Sequence, residues 1–487
     1  MKEHGLAQFK WIPDSTRRVL LLFSCLWGVG CFRASEPTGN LNPTTNLAAS
    51  PELLALGKSS FEKNCAPCHG LQGDGKGPVA DRIFPKPRNF VRANYRIVST
   101  WDYQPTDEDI FRTISRGMPG SVMPSWAHLP QKTRWALVHY VKSFARMPFE
   151  FGPDHQPKDI TDQPSGMIVI PPEPPYTEQA QAHAKQLYSI NCASCHGVTA
   201  KGDGAQKQED SEGFPTRPRD LTAGLFKGSP EPREVYKRLM GGLPGSPMPS
   251  HPHLYGNDGW DLVHFVRSLS SEEQRQRVEA KHQQIIATRV TQLPAKPEDP
   301  LWDSTPAVEL SLLPLWWHDQ RPEILTVRAL HDGNEIAIQL GWTDAAGQNG
   351  TTPTQILPAS AAIQFALSAK EQPFLVMGDN TVGGQVNLWM WKPGADGQDS
   401  ASDWTARGFD TLTELSQDSV GLSATTRHEA EAYRVIFRRL LKSKESSRVT
   451  FEPGANIPVA FVVWDSGAED REKAESMTIW QDLRIAP

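Results

Sequence analysis

Two pentapeptides, Cys65-Ala66-Pro67-Cys68-His69 and Cys192-Ala193-Ser194-Cys195-His196, set two thiols and an imidazole at the same spacing twice in one chain. At that spacing both thiols can add to the vinyl groups of one haem while the adjacent imidazole nitrogen ligates its iron. The chain is therefore expected to carry two covalent haems c and to move electrons. A structural zinc site would pool the two Cys pairs, whereas each pair here has its own histidine and its own repeat.

The flanks repeat with the motifs, the second lying 127 residues after the first. Gly73-Asp74-Gly75 matches Gly202-Asp203-Gly204, and Phe84-Pro85 with Pro87-Arg88-Asn89-Phe90 matches Phe214-Pro215 with Pro218-Arg219-Asp220-Leu221. Pro119-Gly120-Ser121-Val122-Met123-Pro124-Ser125 matches Pro244-Gly245-Ser246-Pro247-Met248-Pro249-Ser250. Each of these is followed by helical periodicity, over Trp135–Val141 and Trp260–Val266. The alignment selects the second axial ligand: Met118 falls opposite Leu243, but Met123 falls opposite Met248, so Met123 and Met248 are the expected thioether ligands. The proline after each removes a backbone donor and favours a loop over a helix. A His/Met pair closes the coordination and raises the iron potential, which points to electron relay. His139, His264 and His318 read as packing or surface residues.

On these residues each copy resembles a class I cytochrome c domain, over residues 50–150 and 176–272. The resemblance implies a small all-α fold, with the haem motif at the first helix and the Met-Pro loop before the last. It also implies propionate contacts from basic groups, for which Arg88 and Arg219 stand at matching places.

Arg17 and Arg18 precede an apolar run, Val19–Phe32, that is short for a bilayer span and reads as an export signal. Residues 1–33 are thus a signal peptide or an N-terminal anchor. Cys25 and Cys31 lie inside it, and either is a candidate lipid-bearing cysteine; the haem motifs take the other four of six cysteines. Haem attachment of this kind in bacteria is completed outside the cytoplasmic membrane, so the cytochrome resemblance implies the periplasm or the outer membrane face, with membrane association through the N-terminus as one option.

The 487 residues allow about three domains after the signal. Residues 151–175 are proline-rich and are expected to be a stiff spacer between the haem domains; residues 273–300 form a charged connector. From 301 to 487 tryptophans and alternating segments, such as Glu335–Trp342 and Ile457–Trp464, predict an antiparallel β-sandwich. The fold class is thus multidomain α + β, two all-α domains followed by that sandwich. In residues 301–487 acidic side chains outnumber basic ones 25 to 15, and no basic run suggests nucleic acid as a partner.

Leu301-Trp302, Gly341-Trp342, Pro373–Gly378, Leu388–Trp391, Tyr433–Leu440, Phe461–Asp465 and Ser476–Trp480 resemble the haem b-binding γ subunit domain of the ethylbenzene dehydrogenase group. That resemblance implies a non-covalent haem b ligated by methionine and lysine. Met377 stands at the methionine place; Arg438 and Arg439 stand where the lysine is sought, leaving Lys442 as the candidate. It further implies an electron-transfer subunit whose partners are a molybdopterin catalytic subunit, an iron–sulfur subunit and a soluble or membrane redox partner, with nitrate or nitrite as one substrate class. Two alternatives stand beside it: a dihaem peroxidase or dehydrogenase in which one iron opens, and a free-standing dihaem cytochrome with a β docking module.

Overall fold

A computed structural model describes residues 40–93, 95–145, 166–206, 208–317, 321–343, 359–368, 373–375, 377–378, 384–394, 399–408, 411–416, 420–429, 432–464 and 475–487. The N-terminal segment with Cys25 and Cys31, the first part of the proline-rich stretch and His318 lie outside the described residues. Helix α1 (Pro51–Asn64) begins where Ser50 accepts from the Leu53 amide and proline presets the first turn. It stops at Cys65, whose amide still donates to the Phe61 carbonyl at 2.8 Å, and a one-turn helix, Ala66–His69, follows at once. Both thiols and the imidazole therefore ride on the end of one helical segment. Helix α2 (Asp107–Arg116) opens with a Thr106/Asp109 capping box, and α3 (Gln131–Lys142) crosses α1.

The second copy repeats this arrangement with α4 (Glu178–Asn191), the one-turn helix Ala193–His196, α5 (Pro232–Gly241) and α6 (Asn257–Ser268). Phe61, Phe111 and Trp135 fill the first core, and Tyr188, Tyr236 and Trp260 occupy the matching places in the second. The crossings differ in closeness: a Cβ on Gly57 would sit 2.2 Å from the Ala136 carbonyl oxygen, whereas the second copy accommodates Ala184 there, fully buried.

The described end of the proline-rich stretch is not a free spacer. Trp101 donates to Gly166 and Ile168 donates to Ser99, which ties it to the first haem domain; Trp260 Nε1 donates to Pro171 and the Tyr255 hydroxyl to Val169, which ties it to the second. Three of these four bonds use carbonyls of the stretch as acceptors, that of Pro171 among them, a role that a proline's missing N–H does not impair.

The connector is partly sheet. After α7 (Glu272–Arg277) comes β1 (Gln284–Arg289), then β2 (Ile324–His331), β3 (Glu335–Thr343), β4 (Ser360–Ala366), β5 (Val386–Pro393), β6 (Asp399–Ala406), β7 (Ser423–Glu429), β8 (Ala432–Leu440), β9 (Asn456–Trp464) and β10 (Gln481–Ile485). These pair in the order β6-β5-β4-β9-β10-β1-β2-β3-β8-β7, and the ends meet where the Thr426 amide donates to Asp399 at 2.7 Å. β1 is parallel to both β10 and β2, so the sheet is not purely antiparallel and its domain takes in residues assigned to the connector. Strand alternation then sorts the side chains. Leu325, Ile363, Phe365, Trp389, Trp391, Phe437, Val459 and Phe461 face one interior. The opposite faces of β4, β5 and β9 are apolar too: Ala362, Ala366, Val386, Leu388, Ala460 and Val462 pack with Val79, Ile83, Val122 and Cys68 of the first haem domain.

Gly57→Ala tests the α1/α3 crossing. Alanine gains about 1 kcal/mol of helix propensity over glycine, yet the contact with Ala136 should outweigh it, lowering the denaturation midpoint of the first haem domain; Ala184→Gly should lose only about 1 kcal/mol. A stabilised Gly57→Ala protein in urea titration would mean that the crossing is looser than described.

Candidate haem sites

The imidazole of His69 approaches the Arg88 carbonyl with Nδ1 at 3.0 Å, and that of His196 approaches the Arg219 carbonyl at 3.0 Å. A carbonyl can only accept, so Nδ1 holds the proton in each ring and Nε2 keeps the lone pair that binds iron. Burial pushes the His69 pKa down to about 4 and lowers that of His196, which keeps both rings neutral, as a ligand requires. The His69 ring also stacks on Phe90 at 4.5 Å between centroids. Burial raises the thiols of Cys65 and Cys68 to about 12 and of Cys192 to about 11. Such groups are poor solvent-facing nucleophiles or thiolate ligands, but their apolar setting suits thioether links.

The two methionine loops share one hydrogen-bond frame. In the first, the Met118 amide donates to the Met123 carbonyl at 3.0 Å, Ser121 Oγ donates to Met118, and the Met123 amide approaches that hydroxyl at 3.4 Å. In the second, the Leu243 amide donates to the Met248 carbonyl at 3.1 Å, Ser246 Oγ donates to Leu243, and the Met248 amide approaches it at 3.4 Å. Each loop leaves its helix through a left-handed glycine, Gly117 or Gly242, against which the chain after the methionine packs so closely that a Cβ would meet Pro124 at 2.5 Å or Pro249 at 2.7 Å. The neutral imidazole, paired thiols and looped methionine of each copy fit a covalently held haem.

The side chains of Arg88 and Arg219 leave the histidines and enter the junction between the haem domains. Arg88 lies 3.9 Å from Asp210 of the second domain, and Arg219 Nη2 donates to Pro119 and is 3.4 Å from the Gly120 carbonyl of the first. Sequence reading missed four further members here. Arg96 pairs with Asp210 at 3.0 Å, Lys227 lies in the same field, and the guanidiniums of Arg219 and Arg321 lie over the Trp317 ring at 4.2 Å and 3.8 Å. The missed signal was in the repeat, since Arg96 follows Arg88 by eight residues and Lys227 follows Arg219 by eight. His139 bonds the Leu47 carbonyl and His264 pairs with Glu173, in keeping with packing roles.

The residues proposed for haem b do not fit one. Met377 lies in the apolar cluster between the sheet and the first haem domain, its amide bonded to Gln364, while Lys442 is exposed, next to Leu441 of the sheet interior. No hydrogen bond, ion pair or apolar cluster joins the two among the described residues. Of the strand arginines, Arg438 pairs with Glu335, and Arg439 is fully buried over Trp389 and Phe451 with its Nη2 on the Val449 carbonyl. Arginine has no lone pair to offer iron, and the aromatic interior already fills the space between the faces.

Residues 52–141 match the family described as cytochrome C oxidase, cbb3-type, subunit III, and residues 181–270 match the cytochrome c family. The chain thus contains two cytochrome c-type domains. It is 28% identical over 201 residues to a Haloferax mediterranei protein that carries the name of a respiratory nitrate reductase heme subunit, ORF7, spanning 40% of this chain and 69% of that one. It is 27% identical over 162 residues to the cbb3-type cytochrome c oxidase subunit FixP of Rhizobium meliloti, spanning 32% of this chain and less than half, 45%, of that subunit. A chain of the Kuenenia stuttgartiensis reducing HAO-like protein complex aligns at 39% identity and a TM-score of 0.40, covering 44% of this chain and 96% of that one.

Replacing Met123 or Met248 by alanine should leave the covalent haem in place but open its iron, converting that haem from low to high spin and admitting added cyanide. An unchanged spectrum and no cyanide uptake would remove that methionine from the ligand set.

Proposed function

We propose that this chain is an exported dihaem electron-transfer subunit, relaying electrons between a periplasmic molybdopterin and iron–sulfur oxidoreductase of the nitrate or nitrite type and a respiratory partner. The observation that carries the relay reading is that each copy presents a tautomer-fixed histidine and a methionine in an equally braced loop. Each haem, when bound, supplies a one-electron iron centre. The chain's own groups hold Nε2 ready as a ligand through the Arg88 and Arg219 carbonyls, and place the methionines through the Ser121 and Ser246 frames. Were His69 with Met123 and His196 with Met248 to hold the two irons, neither would be left open for a small substrate, which would favour relay over a peroxidase.

The likeness to the haloarchaeal protein supports a nitrate reductase partner, and the likeness to FixP supports membership of a respiratory complex. The need to attach haem outside the cytoplasm supports export. No helix among the described residues is long and apolar enough to cross a membrane. In this reading the β domain covers the first haem site, because its outer face packs on Cys68, Val79, Ile83 and Val122.

A pyridine haemochrome spectrum of the exported protein, before and after acid–acetone extraction, should count two covalent haems and no extractable haem per chain. One extractable haem would restore a third redox centre in the β domain. Affinity purification from the native membrane and periplasm should bring down a molybdenum-containing subunit; recovery of a lone dihaem chain would favour the free-standing cytochrome.

A further inference from the structure

The junction between the haem domains gathers more buried positive charge than the protein neutralises. Arg88 and Arg96 come from the first domain and Arg219 and Lys227 from the second; the carboxylates facing them are Asp210, Glu212, whose Oε1 is itself buried without a partner, and Glu323, which with Arg321 faces Arg219. Asp210 is already committed: one oxygen accepts from the Glu212 and Phe214 amides and the other from Arg96. Nη1 of Arg88, of Arg96 and of Arg219 is buried without a partner. Arg96 as a residue is only 8% exposed. A buried cation with open donors is costly unless an anion meets it. Burial, then the neighbouring arginines, push the Lys227 ammonium well below its ordinary range. Donors left open in this way suit an anion with several acceptor oxygens.

We propose that these four cations form one carboxylate-binding site shared by the propionates of both haems, so that each domain's arginine or lysine holds the haem of the other domain as well as its own. The proposal rests on the dihaem reading. Three placements support the sharing. Arg219, whose carbonyl orients His196, reaches with its side chain into the loop that carries Met123. The contact is so close that a Cβ on Gly120 would lie 2.1 Å from Arg219 Nη1. The repeat supplies the cations in matched pairs eight residues apart, so a two-fold set of ligands converges on one place. The ligand class follows from the donors, since a guanidinium presents parallel N–H groups to a carboxylate. Removing one positive charge at such a site stabilises the oxidised form of every haem it faces, and partial burial keeps salt from screening the effect.

The test is redox titration of the full-length holoprotein. Met248→His, which exchanges the thioether for a more basic ligand, sends the second haem to much lower potential, so that the first haem is read as a separate wave. In this background Arg219→Gln and Lys227→Gln, both in the second domain, should each shift the first haem's wave to lower potential. In the reciprocal background, Met123→His, Arg96→Gln should shift the second haem's wave downward. Lys185→Gln, which removes an exposed charge from α4, should move neither. Lys227→Gln leaves the carbonyl that orients His196 untouched, so it serves where Arg219→Gln impairs haem incorporation, and Arg219→Lys should restore most of the shift. Shifts confined to the haem of the mutated domain, with two covalent haems counted by haemochrome, would overturn the sharing. A count other than two would instead overturn the dihaem reading itself.

Discussion

Arg88 and Arg219 each serve two elements at once. The main-chain carbonyl of each fixes the tautomer and plane of a ligand histidine, and the side chain of the same residue is anchored in the junction between domains. A carbonyl and its own guanidinium are joined by a short covalent path. The orientation of the imidazole and the packing of one domain against the other are therefore not independent variables. The segments that carry these residues, Pro87–Phe90 and Pro218–Leu221, are held on the other side by helical cores of Phe61 and Trp135 or Tyr188 and Trp260. A shift of domain packing would have to be absorbed at the iron ligand.

The junction continues into the sheet. The Phe84 amide donates to Leu315 and its carbonyl accepts from Trp317, while its ring stacks on Trp316 and meets Phe214 edge-on, so this one residue contacts all three domains. The sheet face turned toward the first haem domain explains a pattern that alternation alone does not, since β4 is buried at every position. The two haem sites differ as a result. Cys68 of the first lies in the apolar cluster under the sheet. Around the second, Ile190 and Val198 are 78% and 87% exposed, and Ala193, Ser194 and Val198 line an open groove beside the motif. The asymmetry orders the two sites, covered first and open second, along a single chain.

Much of the site was legible because covalent haem chemistry admits so few residue types at so fixed a spacing. The repeat carried the rest: it set Met123 opposite Met248, and the structure gives those two loops the same bonds. The strands predicted by alternation over Glu335–Trp342 and Ile457–Trp464 appear within one residue. What escaped was polar or local in sequence. β6, with Asp399, Ser400 and Asp403, and β7, with Thr425, Arg427 and Glu429, lack the apolar alternation that marks a strand; they exist because pairing with β5 and β8 satisfies their backbones. β1 was hidden in a charged connector because half its side chains face solvent. The haem b expectation finds no support for a different reason: strand order and tryptophan spacing report a β fold, whereas a ligand pair depends on where two side chains end, and Lys442 is exposed.

Relative motion is the default for domains joined by small polar interfaces, and a linker of prolines alone would permit it. Here the described part of that linker is bonded to both haem domains, Tyr103 donates to Ser250 across the junction at 2.8 Å, and Arg116 reaches Glu279 beyond the second domain at 2.5 Å. Partly buried polar contacts of this kind contribute modestly one by one, but these constrain the same domains from different sides, together with the aromatic contacts of Phe84 and Trp317. An enzyme whose iron must open during turnover needs a loop or a domain that can yield. A relay needs the reverse, two centres kept at fixed separation so that an electron moves without waiting for the polypeptide. The bracing of both methionine loops and of the domain junction is a constraint of the second kind.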